Sequence, residues 1–254
     1  EYMARVIILG SSGAVNNAKH DYTHFLLIGE EDRPILVDAG SNPLDKIKHL
    51  GIDDRDLEDI ILTHFHSDHV AGVPNMLMHL WQMGRKAPMR FYGIGHCLDR
   101  VEETMELYGW RDWPNFFPVS FCRINQRDDA LLLENKDFAI RAFPVVHFIP
   151  TIGMRITNKH NGRVLAYSCD TEPCSNVLKI ARDVDILIHE AGGPPPGHST
   201  ARMAGEAATQ AGARELYLIH YQVWNQDPET LIQEAAETFA GPIHLCKDFD
   251  EFEF

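Results

Sequence analysis

The chain has 254 residues, 44% hydrophobic and 24% charged, proportions of a globular protein long enough to bury a sizeable core. Asp and Glu total 37 against 23 Lys and Arg, a formal charge of −14 without any basic run, which argues against extended RNA or DNA as substrate. No apolar stretch reaches the roughly 18 residues of a membrane span. No secretory signal pattern opens the sequence and the cysteines number five, an odd count that suits reduced thiols in a cytoplasmic protein.

Arg5-Val6-Ile7-Ile8-Leu9-Gly10 reads as a buried strand closed by the turn Gly10-Ser11-Ser12-Gly13. His24 to Ile28 and Ile35 to Asp38 follow as strands around a charged turn ending in Pro34, and Pro43 opens a helical stretch to Leu50. Ile60-Ile61-Leu62 is a short strand running into Thr63-His64-Phe65-His66-Ser67-Asp68-His69, with one helix expected from Val70 to Trp81. A strand at Met89 to Tyr92 and a helix at Cys97 to Tyr108 come next. The pattern from Val119 to Ala166 is mostly strands, among them Phe138 to Val146 and Thr151 to Thr157. The last third alternates, with strands at 164–167, 186–188 and 215–219 and helices at 175–181, 199–211 and 228–239. Residues 1–254 are expected to form one α/β domain with sheets inside and helices outside.

The segment His64 to His69 packs three imidazoles and a carboxylate into six residues after an apolar strand. Such a turn can aim neighbouring side chains at two metals about 3.5–4 Å apart. Imidazole and carboxylate ligands suit Zn²⁺, and also Mn²⁺ or Fe. Two ions need further ligands, and His147, Asp170 and His220 each lie just past an apolar strand, at the rim where sites are built.

These residues resemble the metallo-β-lactamase superfamily, whose hallmark is His-x-His-x-Asp-His followed by a later His, Asp and His. The resemblance implies a four-layer αβ/βα sandwich of two mixed sheets. It implies one divalent metal ion on His64, His66 and His147, a second on Asp68, His69 and His220, and Asp170 bridging both. Asp38 matches the carboxylate that supports the metal loop.

Further segments resemble the ribonuclease Z-like branch. They are Leu9-Gly10-Ser11-Ser12-Gly13, Pro150-Thr151-Ile152-Gly153-Met154-Arg155-Ile156, Tyr167-Ser168-Cys169-Asp170-Thr171 with Cys169 in place of Gly, and His198-Ser199-Thr200-Ala201. By that likeness His198 reaches the scissile phosphate. Locally it opens a helix with Ser199 as N-cap, where free N–H groups suit a phosphate oxygen. Glu190 ends an apolar strand and is a candidate to orient His198. Members that process tRNA carry a long arm after the Pro-Ser-x-Gly-Tyr-Arg-Ile segment, whereas here residues 157–163 make only a hairpin turn.

The expectation is a dinuclear metal-dependent hydrolase acting on small or cyclic phosphodiesters. A hydroxide between the metals would attack phosphorus, with Asp68 and His198 handling protons. An acyl hydrolase (thioesterase or lactonase) using the same centre and a tRNA 3′-processing endoribonuclease are the alternatives. A small-molecule substrate and a homodimer are expected. Two segments stay open: Trp110 to Phe117 as a lid, an interface or core, and Ala191 to Gly197 as a pocket wall or a connection.

Overall fold

The computed structural model describes residues 3–224 and 227–254. In its first half lie β1 (Arg5–Gly10), β2 (His24–Ile28), β3 (Ile35–Val37), α1 (Leu44–His49), β4 (Asp59–Ile61), α2 (Ser67–Val70), α3 (Val73–Gln82), β5 (Met89–Ile94), α4 (Gly95–Leu107) and β6 (Val119–Ile124). The second half holds β7 (Ala130–Glu134), β8 (Phe138–Val145), β9 (Thr151–Asn158), β10 (Val164–Tyr167), α5 (Ser175–Ile180), β11 (Ile186–Glu190), α6 (Ala201–Ala211), β12 (Glu215–Ile219), α7 (Thr230–Ala236), β13 (Ile243–Leu245) and β14 (Glu251–Glu253).

The strands form two seven-stranded mixed sheets, in the orders β14-β1-β2-β3-β4-β5-β6 and β13-β12-β11-β10-β9-β8-β7. Each is antiparallel on one side and parallel on the other: β1, β2 and β3 pair antiparallel before β4, β5 and β6 run parallel. The second sheet mirrors this, with β7 to β10 antiparallel and β10 to β13 parallel. The central strands are short apolar runs buried on both faces, as in β3 and in Ile186-Leu187-Ile188 of β11. Across the sheets Phe25 and Tyr167 meet edge to face at 5.1 Å, inside one apolar core. A second core lies where α5, α6 and α7 cover the other face of β11 and β12. The architecture is thus two sheets flanked by helices, as expected.

Two details near the metal-loop and His198 segments differ from the sequence expectation, and β13 and β14 are strands it did not include. The metal loop runs into α2, which carries Asp68 and His69, and the helix expected from Val70 begins only at Val73, because the Gly72 N–H donates to the carbonyl of Ala39 and leaves the helical ladder. A Cβ on Gly72 would lie 2.1 Å from the carbonyl oxygen of Ser41, so only glycine permits this approach. The N-cap of α6 is Thr200, whose hydroxyl accepts from the Met203 N–H. Ser199 instead donates its hydroxyl to the carbonyl of Thr171, so His198 precedes the helix rather than opening it. Among the described residues no helix is long and apolar enough to cross a membrane.

Candidate metal centre

Six strand ends converge on one rim: β3 delivers Asp38, β4 His64, β8 His147, β10 Asp170, β11 Glu190 and β12 His220. The backbone is left-handed at Asp38 (φ 62°), Cys169 (φ 54°) and His220 (φ 57°). Such conformations are costly for residues with a Cβ and collect where a site must be aimed. Cys169 therefore stands at a position whose geometry favours the Gly of the resembling motif.

His64, His66, His147 and Asp170 place one ligand atom each within 4.8 Å of one another, and so do Asp68, His69, Asp170 and His220. Asp170 belongs to both sets. Its Oδ2 lies 3.1 Å from His220 Nε2, 3.4 Å from His69 Nε2, and 3.8 Å from Nε2 of both His64 and His147. The sequence-predicted ligands are thus brought together, and in the two groups that the resemblance implied.

Three of the imidazoles are turned from behind. Asp38, buried, accepts from His69 Nδ1 at 2.8 Å and also from the N–H and hydroxyl of Thr63, which fixes the loop. The Gly197 carbonyl accepts from His147 Nδ1 at 2.6 Å, and Thr23 Oγ1 lies 3.2 Å from His220 Nδ1. The glycine-rich turn after β1 braces β12: the Ser11 carbonyl accepts from the His220 N–H at 2.8 Å.

The inward atoms lack what the outward atoms have. His66 Nδ1 faces Nε2 of His64 at 3.1 Å and Nε2 of His147 at 3.0 Å, three imidazole nitrogens around one point. His69 Nε2 and Asp170 Oδ1 are buried without a hydrogen-bond partner. Buried polar atoms are ordinarily satisfied, so an orphaned donor set of this composition fits divalent cations. The field points the same way. Burial opposes charge on His69, yet Asp170 and Asp38 outweigh it and hold the imidazole well above its usual range. Burial likewise works against the Asp170 carboxylate, but His220 and His69 keep it well below the usual range. Burial pushes His147 down to about 4 and His64 well below normal, which leaves their lone pairs free to bind a metal.

Glu190 is fully buried. It accepts from the Thr171 and Ser199 N–H groups at 3.1 and 2.9 Å, from Gly192 N–H at 2.5 Å, and from His198 Nδ1 at 3.2 Å. Burial opposes protonation of His198, but the Glu190 hydrogen bond and charge raise its pKa above the ordinary imidazole value. His198 shares a cavity of about 430 Å³ with His66, Asp68, Asp170 and His220. The loop 191–197 contributes Gly192 to its wall. The sequence reading passed over Phe148, Gln222 and Trp224, which also line it. Residues 110–117 do not line it: Trp110 and Phe117 are buried in the core and Trp113 stacks on Trp81 at 4.8 Å.

Two mixed sheets between helices, with a His/Asp cluster at their common rim, define a metal-binding hydrolase of the metallo-β-lactamase fold. The chain belongs to the beta-lactamase superfamily, whose domain family matches residues 33–221. The uncharacterized protein Rv1339 of Mycobacterium tuberculosis is 30% identical over 263 positions, covering 98% of this chain and 92% of the relative. Ribonuclease Z of Bacillus licheniformis is 26% identical over 308 positions, covering 98% of each. Within the superfamily the chain lies in the ribonuclease Z-like branch. Among solved structures, the metallo-beta-lactamase fold protein YhfI from Bacillus subtilis superposes with a TM-score of 0.83 at 22% identity over all of both chains. A diphosphatase of the PhnP family superposes with a TM-score of 0.75 at 20% identity, over 99% of this chain and 98% of the other.

Proposed function

We propose that the chain hydrolyses small or cyclic phosphodiesters at a dinuclear centre, with Zn²⁺ the ion its imidazole and carboxylate donors suit best. The observation that carries this reading is Asp170 shared between two complete ligand sets, on the same cavity as a histidine that a buried glutamate holds in place. His64, His66 and His147 would hold one ion, Asp68, His69 and His220 the other, and Asp170 both. Bound there, divalent ions neutralise phosphate oxygens and bring the pKa of water toward 7.

The chain's own groups do the rest. Asp38, Thr23 and the Gly197 carbonyl keep the ligand rings aimed inward. Glu190 holds His198 by Nδ1 and leaves its Nε2–H to donate to the leaving oxygen. Asp68, on the cavity wall, takes up the proton released by the attacking water. The diphosphatase and ribonuclease names of the two relatives above concern phosphorus centres, in keeping with this choice of bond. The turn from β9 to β10, where the Asn158 N–H donates to the Arg163 carbonyl, leaves no arm for a tRNA between those strands. A cavity of about 430 Å³ suits a small molecule.

The test is a substrate panel on protein reconstituted with Zn²⁺ or Mn²⁺. Bis(p-nitrophenyl) phosphate should be turned over and acyl thioesters and lactones should not. His198→Ala should keep its metal and lose roughly 10²–10⁴ in kcat. Turnover confined to the acyl substrates contradicts the proposal.

A further inference from the structure

Phe148 directly follows His147 and has no part in either ligand set. The residue is 61% exposed and lines the same cavity as His66, Asp68 and His198. Its ring centroid is 5.0 Å from that of His147 and 6.1 Å from that of His198. Trp224, 46% exposed, lines the cavity too. Large apolar rings left in water forgo the gain of burial. Two exposed aromatic side chains on the wall of the cavity that also holds the His/Asp cluster mark where the flat face of a ligand belongs.

The seat of the Phe148 ring is built by backbone. A Cβ on Gly197, whose φ is +84°, would lie 2.3 Å from a ring carbon, so only glycine lets the loop pass this close. Gly197 is itself fixed, since its carbonyl accepts from His147 Nδ1 at 2.6 Å and its N–H donates to Glu172 Oε1 at 2.8 Å. One residue thus positions a ligand imidazole with its carbonyl and supports an exposed aromatic ring with its Cα. The ring thus packs against the Gly197 backbone beside the candidate metal centre.

On the phosphodiesterase reading above, we infer that Phe148 is a specificity-determining residue that stacks on an aryl or nucleobase ring of the substrate. The preferred substrates are then phosphodiesters with a planar ring close to the phosphorus, rather than alkyl diesters. Ring-on-ring stacking needs only a π face. Phe148 therefore selects a class of ester rather than one compound.

Two esters with the same leaving group separate this from chemistry at phosphorus: p-nitrophenyl phenyl phosphate and p-nitrophenyl methyl phosphate. Metal-loaded protein should prefer the phenyl ester, beyond the ratio of their rates with hydroxide, by roughly tenfold in kcat/KM, carried by KM. Phe148→Ala and Phe148→Leu should bring that ratio down to the hydroxide value, while Phe148→Trp keeps it. An unchanged ratio in folded Phe148→Ala and Phe148→Leu overturns the inference. If neither ester is turned over, the phosphodiesterase reading falls and binding decides Phe148 separately, by calorimetry of phenyl phosphate against methyl phosphate. About tenfold tighter binding of phenyl phosphate that Phe148→Ala removes supports the stacking role, and equal affinities for the two monoesters overturn it.

Discussion

The second sheet carries a buried aspartate at each end, Asp137 before β8 and Asp170 after β10, and the two treat similar chemistry in opposite ways. At the far end Asp137 accepts backbone N–H bonds from Glu30 at 3.1 Å, Glu31 at 3.1 Å and Asp32 at 2.7 Å, and faces His160 Nε2 at 2.8 Å. At the near end Asp170 is surrounded by four imidazoles, yet its Oδ1 has no partner. Asp137 is answered entirely by protein and staples the β2–β3 turn to β8. Asp170 is aimed by protein but left for something else to answer. Burial and charge are common to both sites; what separates a structural carboxylate from a functional one here is an unanswered lone pair.

Exchanging each carboxylate for its amide is the sharpest way to break that comparison. Asp170→Asn should abolish turnover and metal retention while the metal-free protein still folds, as circular dichroism and metal analysis would show. A variant that keeps wild-type turnover would erase the distinction. Asp38→Ala should weaken metal binding roughly 10–100-fold through His69, measured by competition with a chelator. Unchanged affinity would mean that the His69 ring is held by other contacts.

Asp137→Asn should do the reverse of Asp170→Asn, costing about 2 kcal/mol in urea unfolding at pH 7 with turnover per folded molecule unchanged. Burial opposes the Asp137 charge, but the Asp32 N–H and His160 lead the interactions that hold its pKa below the ordinary value. The depressed group stabilises the fold above the unfolded carboxylate pKa of roughly 4, and that contribution is lost as pH falls through the folded value. The gap between wild type and Asp137→Asn should therefore close in acid. A gap that widens in acid contradicts the assignment.

The smallest effect expected is a pH shift. Glu190 raises the pKa of His198 against the opposing pull of burial, so the protonated imidazole persists above its ordinary range. Activity that needs this proton falls as pH rises through the raised value. Glu190→Gln should move that alkaline limb to lower pH, and a limb that stays in place removes Glu190 from the positioning of His198.

The grouping of the candidate ligands was legible because ligand-type residues at the ends of apolar strands stand out against the runs before them. The two C-terminal edge strands, β13 and β14, were not. Glu251-Phe252-Glu253 is largely exposed and polar, and Ile243-His244-Leu245 is only three residues long, so neither carries an apolar run to read. The cap at Thr200 was misplaced because propensity favours Ser over Thr as N-cap, and only in the folded protein does the Thr171 carbonyl claim the Ser199 hydroxyl. Phe148 was missed because an aromatic next to a candidate ligand histidine reads as core, and the Gly197 backbone that packs against its ring lies 49 positions later in the chain.

The dinuclear claim is tested most directly by electron paramagnetic resonance of Mn²⁺-loaded protein together with its metal content. The account predicts two ions per chain with an exchange-coupled spectrum that Asp170→Asn abolishes. An active protein with one isolated ion per chain would contradict it.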